Sequence, residues 1–273
     1  MARKENSEYV LSTSDEELRR LGIQHGLWLA HARKLWWKAG FGGSDRLLDI
    51  GCGPGYTSID LSRFAGPKAS VTAIDTSEKF LGHLNQRIQN EGFHQIQTHR
   101  STLEDLALKK KDYDGAYCRW VLCFVKDPKH CLEKISSHLR PGAIFALQEY
   151  VDYGSMALYP EPGVLPTVVE AIFKSWRARG GDPDVGQGLP KLLEQTGFRV
   201  RHLRAVSRIA RPTSKLWKWP DTFYASFVPE LVKTGFLDQK SADTFFVQWK
   251  KASRESSSFF YAPSVMNIIA EKV

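Results

Sequence analysis

The sequence is poor in cysteine and has no long hydrophobic run. Its 273 residues include four cysteines, and none of them has the C-x-x-C or Cys/His spacing of a zinc site. No apolar stretch approaches the roughly 18 residues that a membrane span requires. The first residues turn polar at once, unlike a secretion signal. We therefore expect a cytoplasmic protein with reduced thiols, no metal centre and no membrane span.

The chain also lacks internal repeats and low-complexity segments, but its charge is uneven. The net charge is +8, and residues 199–273 hold thirteen Lys/Arg against six Asp/Glu. A basic face can attract an acidic substrate, a nucleic acid or an anionic membrane surface. Because no dense Lys/Arg run occurs, we favour a solvated basic face over these partners.

Short apolar runs alternate with helical patterns from residue 46 to residue 150. The runs predict strands at 46–50, 71–75, 94–100, 114–120 and 143–150. The intervening patterns predict helices from near Tyr56 and over 78–91, 103–108 and 128–139. Such alternation indicates a parallel sheet covered on both faces. The expected fold class is α/β, with a doubly wound, Rossmann-like, mostly parallel sheet of seven strands.

The regions outside this alternation predict a cap and a lid. Ser14 and Glu17 have capping-box spacing before an apolar stripe, which predicts an N-terminal helix. Helices are expected over 168–179 and 188–196, and strands over 198–203 and 261–272. Twelve aromatic residues lie between 213 and 262. We expect an N-terminal helical cap at 1–44, a core at 45–212 and 259–273, and a helical lid insertion at 213–258 before the last strand.

The most informative segment is the glycine-rich turn Leu-Asp-Ile-Gly-Cys-Gly-Pro-Gly at 48–55. It connects a predicted strand to a helix whose N-terminal amides would face a ligand. Asp75 ends the next strand, where a carboxylate can accept hydrogen bonds from both ribose hydroxyls. The two features together indicate a nucleoside ligand. The spacing is G-x-G-x-G and residue 56 is Tyr, which disfavours a Rossmann-type oxidoreductase.

At these residues the sequence resembles the class I S-adenosylmethionine-dependent methyltransferases, over roughly residues 46–150. The matching pieces are the turn at 48–55, Val-Thr-Ala-Ile-Asp at 71–75, Asp-Tyr-Asp-Gly-Ala-Tyr at 112–117 and Leu-Arg-Pro-Gly at 139–142. Tyr9-Val10-Leu11 is similar to the lead-in of some small-molecule members. The resemblance implies S-adenosylmethionine as the cofactor and says little about the methyl acceptor.

The resemblance also implies individual roles around the cofactor. Its methionine part would lie along Gly51, Gly53 and Gly55, with Asp49 near the ammonium group and Cys118 and Arg119 near the amino-acid end. Asp75 would bind the ribose, with Thr76 beside it, and Leu103 and Glu104 would flank the adenine. Tyr9 would close over the cofactor, or else pack under the first helix. Arg119 would neutralise the cofactor's carboxylate, or else form a surface salt bridge.

Methyl transfer from a sulfonium needs alignment and exclusion of water, and a base only for some acceptors. The catalytic residue is therefore unknown, and the candidates are Glu149, His25 and Tyr153. For Glu149 we favour a loop carboxylate over a catalytic role, and for His25 a satisfied core histidine. The aromatic lid favours a small apolar or aromatic substrate, although packing alone could explain it.

Other functions stay open at this point. The basic C-terminal face would suit an RNA or protein methyltransferase, but strand four ends in Cys118-Arg119-Trp120-Val121 and no RNA-binding module follows. Nucleic acid is therefore the less favoured substrate. A cofactor-binding partner subunit without catalysis is a further alternative. The sequence does not indicate the oligomeric state.

Overall fold

The computed structural model describes residues 14–273, so Tyr9 lies outside the described residues. The first described helix is α1 (Asp15–Lys38). The Ser14 hydroxyl oxygen accepts a hydrogen bond from the Glu17 backbone N–H at 3.2 Å, which caps the helix as the sequence predicts. Its buried stripe includes His25, Trp28 and Trp36.

Seven strands form the central sheet, in the order β3-β2-β1-β4-β5-β10-β7. β1 pairs in parallel with β2 and β4, and β10 is antiparallel to both of its neighbours, β5 and β7. The predicted doubly wound, mostly parallel sheet is confirmed. The strands are β1 (Arg46–Ile50), β2 (Ser70–Asp75), β3 (Ile96–Arg100), β4 (Tyr113–Arg119), β5 (Leu139–Asp152), β7 (Phe198–Val206) and β10 (Ser264–Lys272).

Helices cover both faces of this sheet. Adjacent residues of a strand point to opposite faces, and Leu47 and Leu48 accordingly belong to separate apolar cores. One core packs the sheet against α1, α2 and α3, and the other packs it against α4, α5 and α6. The helices are α2 (Tyr56–Ala65), α3 (Glu78–Glu91), α4 (Pro128–Ser136), α5 (Leu165–Ala178) and α6 (Leu189–Gln195).

Two further helices lie between β7 and β10, and a small second sheet combines two strands from this segment with one strand that follows β5. Helices α7 (Lys218–Lys233) and α8 (Gln239–Ala252) pack on each other and on α5, and α7 also packs on α1. Strands β6 (Ala157–Tyr159), β8 (Ile209–Ala210) and β9 (Phe259–Tyr261) form an antiparallel sheet. The sequence did not predict this sheet, because runs of two or three residues are too short to show a period. The division into cap, core and lid stays a prediction.

Two predicted elements need correction. Residues 103–108 form no helix: a turn at 104–105 is held by a hydrogen bond from the Asp105 N–H to the Thr102 hydroxyl at 3.0 Å, and irregular backbone follows it. The helix expected at 128–139 ends at Ser136, since Leu139 already pairs with Tyr113 in the sheet. Within residues 14–273, no helix combines the length and apolar character needed to cross a membrane.

Candidate functional site

A cavity of about 1830 Å³ opens at the carboxyl ends of β1, β2 and β4. Ligands of open α/β sheets bind at this edge, where successive connections leave to opposite faces. One side of the cavity is lined by the glycine turn and by residues at the ends of these strands. The other side is lined by α1, α5, α7 and the loop after β5. The same cavity therefore contacts most of the residues that the sequence singled out.

The glycine turn follows β1, and three of its glycines have a positive φ: Gly51 at 64°, Gly53 at 53° and Gly55 at 82°. A Cβ on Gly51 would lie 2.2 Å from a methyl group of Val121, and one on Gly55 would lie 2.3 Å from Leu84. Gly53 has open space around the same position and lines the cavity. Gly51 and Gly55 thus permit close packing, while Gly53 leaves room for a ligand beside the backbone.

Asp75 lies at the end of β2 and lines the cavity. Its carboxylate accepts hydrogen bonds from the Gly53 N–H and the Ser77 N–H, both at 2.8 Å. Burial raises the pKa of this carboxyl group, while the backbone donors oppose the shift. Asp75 therefore holds the glycine turn and the start of α3 in register, and it presents an oriented carboxylate to the cavity.

Asp49 lies one strand away, beside the end of β1. It is 2% exposed, and its Oδ2 accepts a hydrogen bond from the Ser58 hydroxyl at 2.6 Å. Burial raises the pKa of Asp49 to about 7, against a lowering influence from the Arg119 charge. A cation bound in the cavity would favour the ionised carboxylate, so this site suits a positively charged group.

Arg119 ends β4 and reaches toward α1 and α2. Its Nη2 donates to His25 Nδ1 at 3.0 Å and to the Thr57 hydroxyl at 3.3 Å, and its guanidinium carbon lies 5.2 Å from the Trp120 ring centre. Its Nη1 is buried and has no hydrogen-bond partner among residues 14–273. A buried guanidinium N–H without a partner is costly, so the site is suited to an anion.

His25 lies on α1 with its ring inside the cavity wall. Its Nε2 is 2.8 Å from Oδ2 of Asp60 on α2. Burial lowers the pKa of His25, and the Asp60 carboxylate partly opposes that shift. Both ring nitrogens therefore have hydrogen-bond partners, and His25 is a buried, satisfied histidine whose ring also lines the cavity.

The structure separates the remaining predicted residues into two groups. Thr76, Leu103 and Glu104 line the cavity, as does Tyr153. Cys118 and Glu149 are fully buried and are not part of its wall. From their position in the sequence, both were expected at the edge of the sheet that lines the cavity. Side chains alternate in direction along β4 and β5, and those of Cys118 and Glu149 point into the core.

Glu149 has a structural environment of its own. Its Oε1 accepts hydrogen bonds from the N–H groups of Val121 at 2.7 Å and Leu122 at 2.8 Å, while Oε2 has no partner within the described chain. Burial raises the pKa of Glu149 to about 7. The carboxyl group holds the backbone that follows Trp120, and so shapes the cavity wall from behind.

Aromatic rings form the second half of the cavity. Trp120 stacks between Tyr150 and Trp219, with ring centres 5.4 and 5.9 Å apart and interplanar angles of 12° and 16°. Its φ of 55° is the only positive value at a non-glycine position in residues 14–273, a conformation that costs energy and recurs at functional sites. Tyr153 and Trp176 pack beside this stack.

A polar chain that sequence reasoning missed connects α1 with α7. Arg20 forms two hydrogen bonds to Glu17, at 2.6 and 2.7 Å, and its Nη1 donates to Gln24 at 3.0 Å. The Trp219 Nε1–H donates to the same Gln24 oxygen at 3.0 Å. The i, i+3 and i, i+4 spacing of these α1 residues was visible in the sequence, but their partner 195 residues away was not.

Comparison with known proteins identifies the domain that builds this site. A family model described as "Methyltransferase domain" matches residues 48–147. The chain is similar to O-methyltransferase resE of Aspergillus sclerotiorum, with 26% identity over 174 residues, 62% of this chain and 60% of that protein. It is also similar to O-methyltransferase rstn1 of Aspergillus nomiae, with 29% identity over 157 residues, 57% of this chain and 64% of that protein.

Among solved structures, the fold is similar to that of a geranyl diphosphate methyltransferase in complex with SAM. The TM-score is 0.58 at 16% identity, over 98% of this chain and 99% of that chain. The chain spans 27% to 60% of the length of the first three curated relatives it matches. Residues 48–147 therefore match a methyltransferase domain, and the fold of the chain is similar to that of a methyltransferase that binds S-adenosylmethionine.

Proposed function

We propose that this protein transfers a methyl group from S-adenosylmethionine to an O, N or C atom of a small apolar or aromatic molecule. The observation that carries the proposal is the two-sided cavity. Its polar half contains the glycine turn, Asp75, Asp49 and Arg119, and its other half is a wall of stacked aromatic rings. A cofactor and an acceptor would meet where the two halves join.

The polar half fits the proposed cofactor better than it fits a dinucleotide. Asp49 and Arg119 present opposite charges to the same part of the cavity, and a methionine group carries the complementary ammonium and carboxylate. Asp75 would accept from the ribose hydroxyls, and Thr76, Leu103 and Glu104 would lie along the adenine. S-adenosylmethionine supplies an activated methyl group on a sulfonium, which leaves these residues to bind and orient it.

The aromatic half supports a flat or apolar acceptor. Trp120, Tyr150 and Trp219 offer stacked ring faces, and Phe223 and Phe227 extend the apolar wall along α7. The names of the two fungal relatives, both O-methyltransferases, are consistent with an oxygen acceptor. An enclosed aromatic wall does not suit an RNA duplex or a protein surface, so those substrates are less favoured.

The residues near the acceptor favour alignment over deprotonation. Burial raises the pKa of the Tyr153 phenol well above its usual value, so the group stays protonated and can orient an acceptor by a hydrogen bond. His25 already uses its basic nitrogen for Arg119. The roof of α1 and α7 would exclude water from the sulfonium. We further propose a cytoplasmic location, consistent with four buried free thiols.

Binding and transfer assays test the function directly. The purified protein should bind S-adenosylhomocysteine by calorimetry and show no response to NAD. Asp75→Ala should weaken that binding by about 2 kcal/mol, because a charged acceptor is lost. Methyl-labelled S-adenosylmethionine with a panel of phenols, amines and terpenoids should then identify the acceptor. Binding of NAD without binding of S-adenosylhomocysteine would refute the proposal.

A further inference from the structure

The contact between α1, α2 and the end of β4 is more specific than packing requires. Arg119 Nη2 lies 3.0 Å from His25 Nδ1, and His25 Nε2 lies 2.8 Å from the Asp60 carboxylate. An arginine can only donate, so Nδ1 must accept and the ring proton must reside on Nε2. The histidine is thus neutral and donates to Asp60, in one defined tautomer.

The surroundings keep His25 in that state. Asp60 faces it from α2, Arg119 from β4 and Arg87 from α3, while the Tyr56 ring stacks at 6.0 Å. Burial is the largest influence on its pKa, which is lowered, and the two arginines lower it further. Protonation would leave Nδ1 with a hydrogen directed at the Arg119 guanidinium, so the contact excludes the charged form.

The same contact fixes the orientation of Arg119. Two acceptors, His25 Nδ1 and the Thr57 hydroxyl, hold Nη2, and the Trp120 ring lies 5.2 Å from the guanidinium carbon. A planar guanidinium held at one nitrogen and against one ring has little freedom left. Its Nη1 then remains buried and unpartnered within the described residues, and Asp49, whose pKa the Arg119 charge lowers, lines the same cavity.

We propose that His25 and Asp60 are positioning residues that hold Arg119 so that Nη1 binds the carboxylate of the cofactor's amino-acid end. This inference rests on the proposed function. In this arrangement His25 is not the catalytic base, since a base would have to give up the bond that orients Arg119. It also ties cofactor binding to α1, the helix whose Gln24 accepts from Trp219 of α7.

The same contacts could serve only to link α1 and α2 in the fold. Two ligands distinguish this structural role from the positioning of Arg119. S-adenosylhomocysteine has the amino-acid carboxylate, whereas 5′-methylthioadenosine keeps the nucleoside and lacks that group. A positioning role changes affinity for the first ligand alone. A structural role changes affinity for both, because the whole cavity is disturbed.

The experiment titrates both ligands by calorimetry at pH 8 into the wild type, Arg119→Met, His25→Leu, His25→Asn and Asp60→Asn. Arg119→Met and His25→Leu should each lose about tenfold or more in affinity for S-adenosylhomocysteine, the effect expected for a charge-assisted hydrogen bond. Affinity for methylthioadenosine should stay unchanged. His25→Asn should recover most of the lost affinity for S-adenosylhomocysteine, because its amide oxygen can replace Nδ1 as acceptor. Asp60→Asn should have an affinity between those of His25→Leu and the wild type.

His202→Asn is the matched control, since this histidine lies on β7 outside the cavity wall. In the wild type, S-adenosylhomocysteine affinity should also fall as the pH drops through the lowered pKa of His25. His25→Asn should reduce that dependence without abolishing it, because Asp49, with a pKa of about 7, also titrates in the cavity wall. Circular dichroism and methylthioadenosine binding report whether each variant is folded.

Three results would overturn the inference. Equal losses for both ligands in His25→Leu would show a structural role. Normal S-adenosylhomocysteine affinity in His25→Leu, with a loss in Arg119→Met, would show that Arg119 acts without the histidine. Normal affinity in Arg119→Met would remove the carboxylate contact itself. Failure of the wild type to bind S-adenosylhomocysteine would instead refute the proposed function.

Discussion

The two halves of the cavity are built in different ways. The polar half comes largely from one stretch of about 70 residues, in which each strand end delivers its side chain to the same edge of a parallel sheet. The aromatic half is assembled from α1, β4, the loop after β5, α5 and α7, which are separated by up to two hundred residues. The polar half is therefore specified by local backbone geometry, and the aromatic half by long-range packing.

The largest expected effect on stability comes from substitutions in the glycine turn. Gly51→Ala adds a Cβ at a positive φ and places it against Val121, so we expect a loss of about 3 kcal/mol in the free energy of unfolding. Gly53→Ala has open space around its Cβ and should cost only about 1 kcal/mol from the backbone. Urea denaturation of both variants measures the two losses.

Cofactor binding sharpens the comparison of these glycines. The Gly53→Ala side chain would project toward the cavity, so its main effect should be weaker S-adenosylhomocysteine binding. Gly43→Ala is a control, because Gly43 has a φ of 96°, open surroundings and no place in the cavity wall. Gly43→Ala also serves as the control in urea denaturation. Equal free energies of unfolding for Gly51→Ala and Gly43→Ala would show that close packing against Val121 is not the reason for the glycine at 51.

Glu149 lies behind the cavity wall, and its ionisation should make the free energy of unfolding depend on pH. Its folded pKa of about 7 exceeds the ordinary 4.5, so its stabilising contribution is full below pH 4.5 and is lost as the pH rises through 7. The pKa difference corresponds to at most about 3 kcal/mol. Glu149→Gln keeps the acceptor for Val121 and Leu122 and does not ionise. It should therefore be more stable than the wild type at pH 8.

Denaturation curves between pH 5 and pH 8 check this expectation. Asp49 also has a raised pKa of about 7 and adds a dependence of the same sign, so the variant should reduce the slope without abolishing it. A wild type and a Glu149→Gln variant with parallel pH profiles would mean that the carboxyl group ionises normally in the folded protein.

The smallest expected effect concerns the roof over the aromatic half. Trp219→Phe keeps a ring against Trp120 and removes the hydrogen bond to Gln24, so we expect about 1 kcal/mol of lost stability. Trp249→Phe loses the matching bond to Asp221, but lies outside the cavity wall. Hydrogen exchange should show faster opening of α1 only in Trp219→Phe, because the Trp249 bond holds α8 to Asp221 of α7 and does not involve α1.

Ligand-dependent exchange tests the lid itself. Cofactor together with the true acceptor should slow exchange in residues 15–37 and 213–258 more than cofactor alone does, because a roof that closes loses mobility. Equal protection with and without ligands would make the roof a rigid scaffold, and the aromatic rings an ordinary core.

Sequence reasoning placed the residues of the polar half at one edge of the sheet for a physical reason. Positive φ values require glycine, parallel strands bring their ends to one edge, and a carboxylate at the end of β2 must lie near the turn after β1. It could not tell that Cys118 and Glu149 point into the core while Arg119 and Tyr153 face the cavity. Side-chain direction in a strand alternates with each residue, and the strand ends were uncertain by one or two residues.

By itself, the sequence determined the parallel sheet, the glycine turn and the position of Asp75, because these depend on backbone conformations that short segments impose. Only the tertiary structure decided which residues surround Arg119, with His25 of α1 bonded to it and Asp60 of α2 bonded to the other ring nitrogen of that histidine. It also decided that Trp219 stacks on Trp120 across about a hundred residues of chain. Contacts between distant segments depend on packing and burial, which no local pattern of residues encodes.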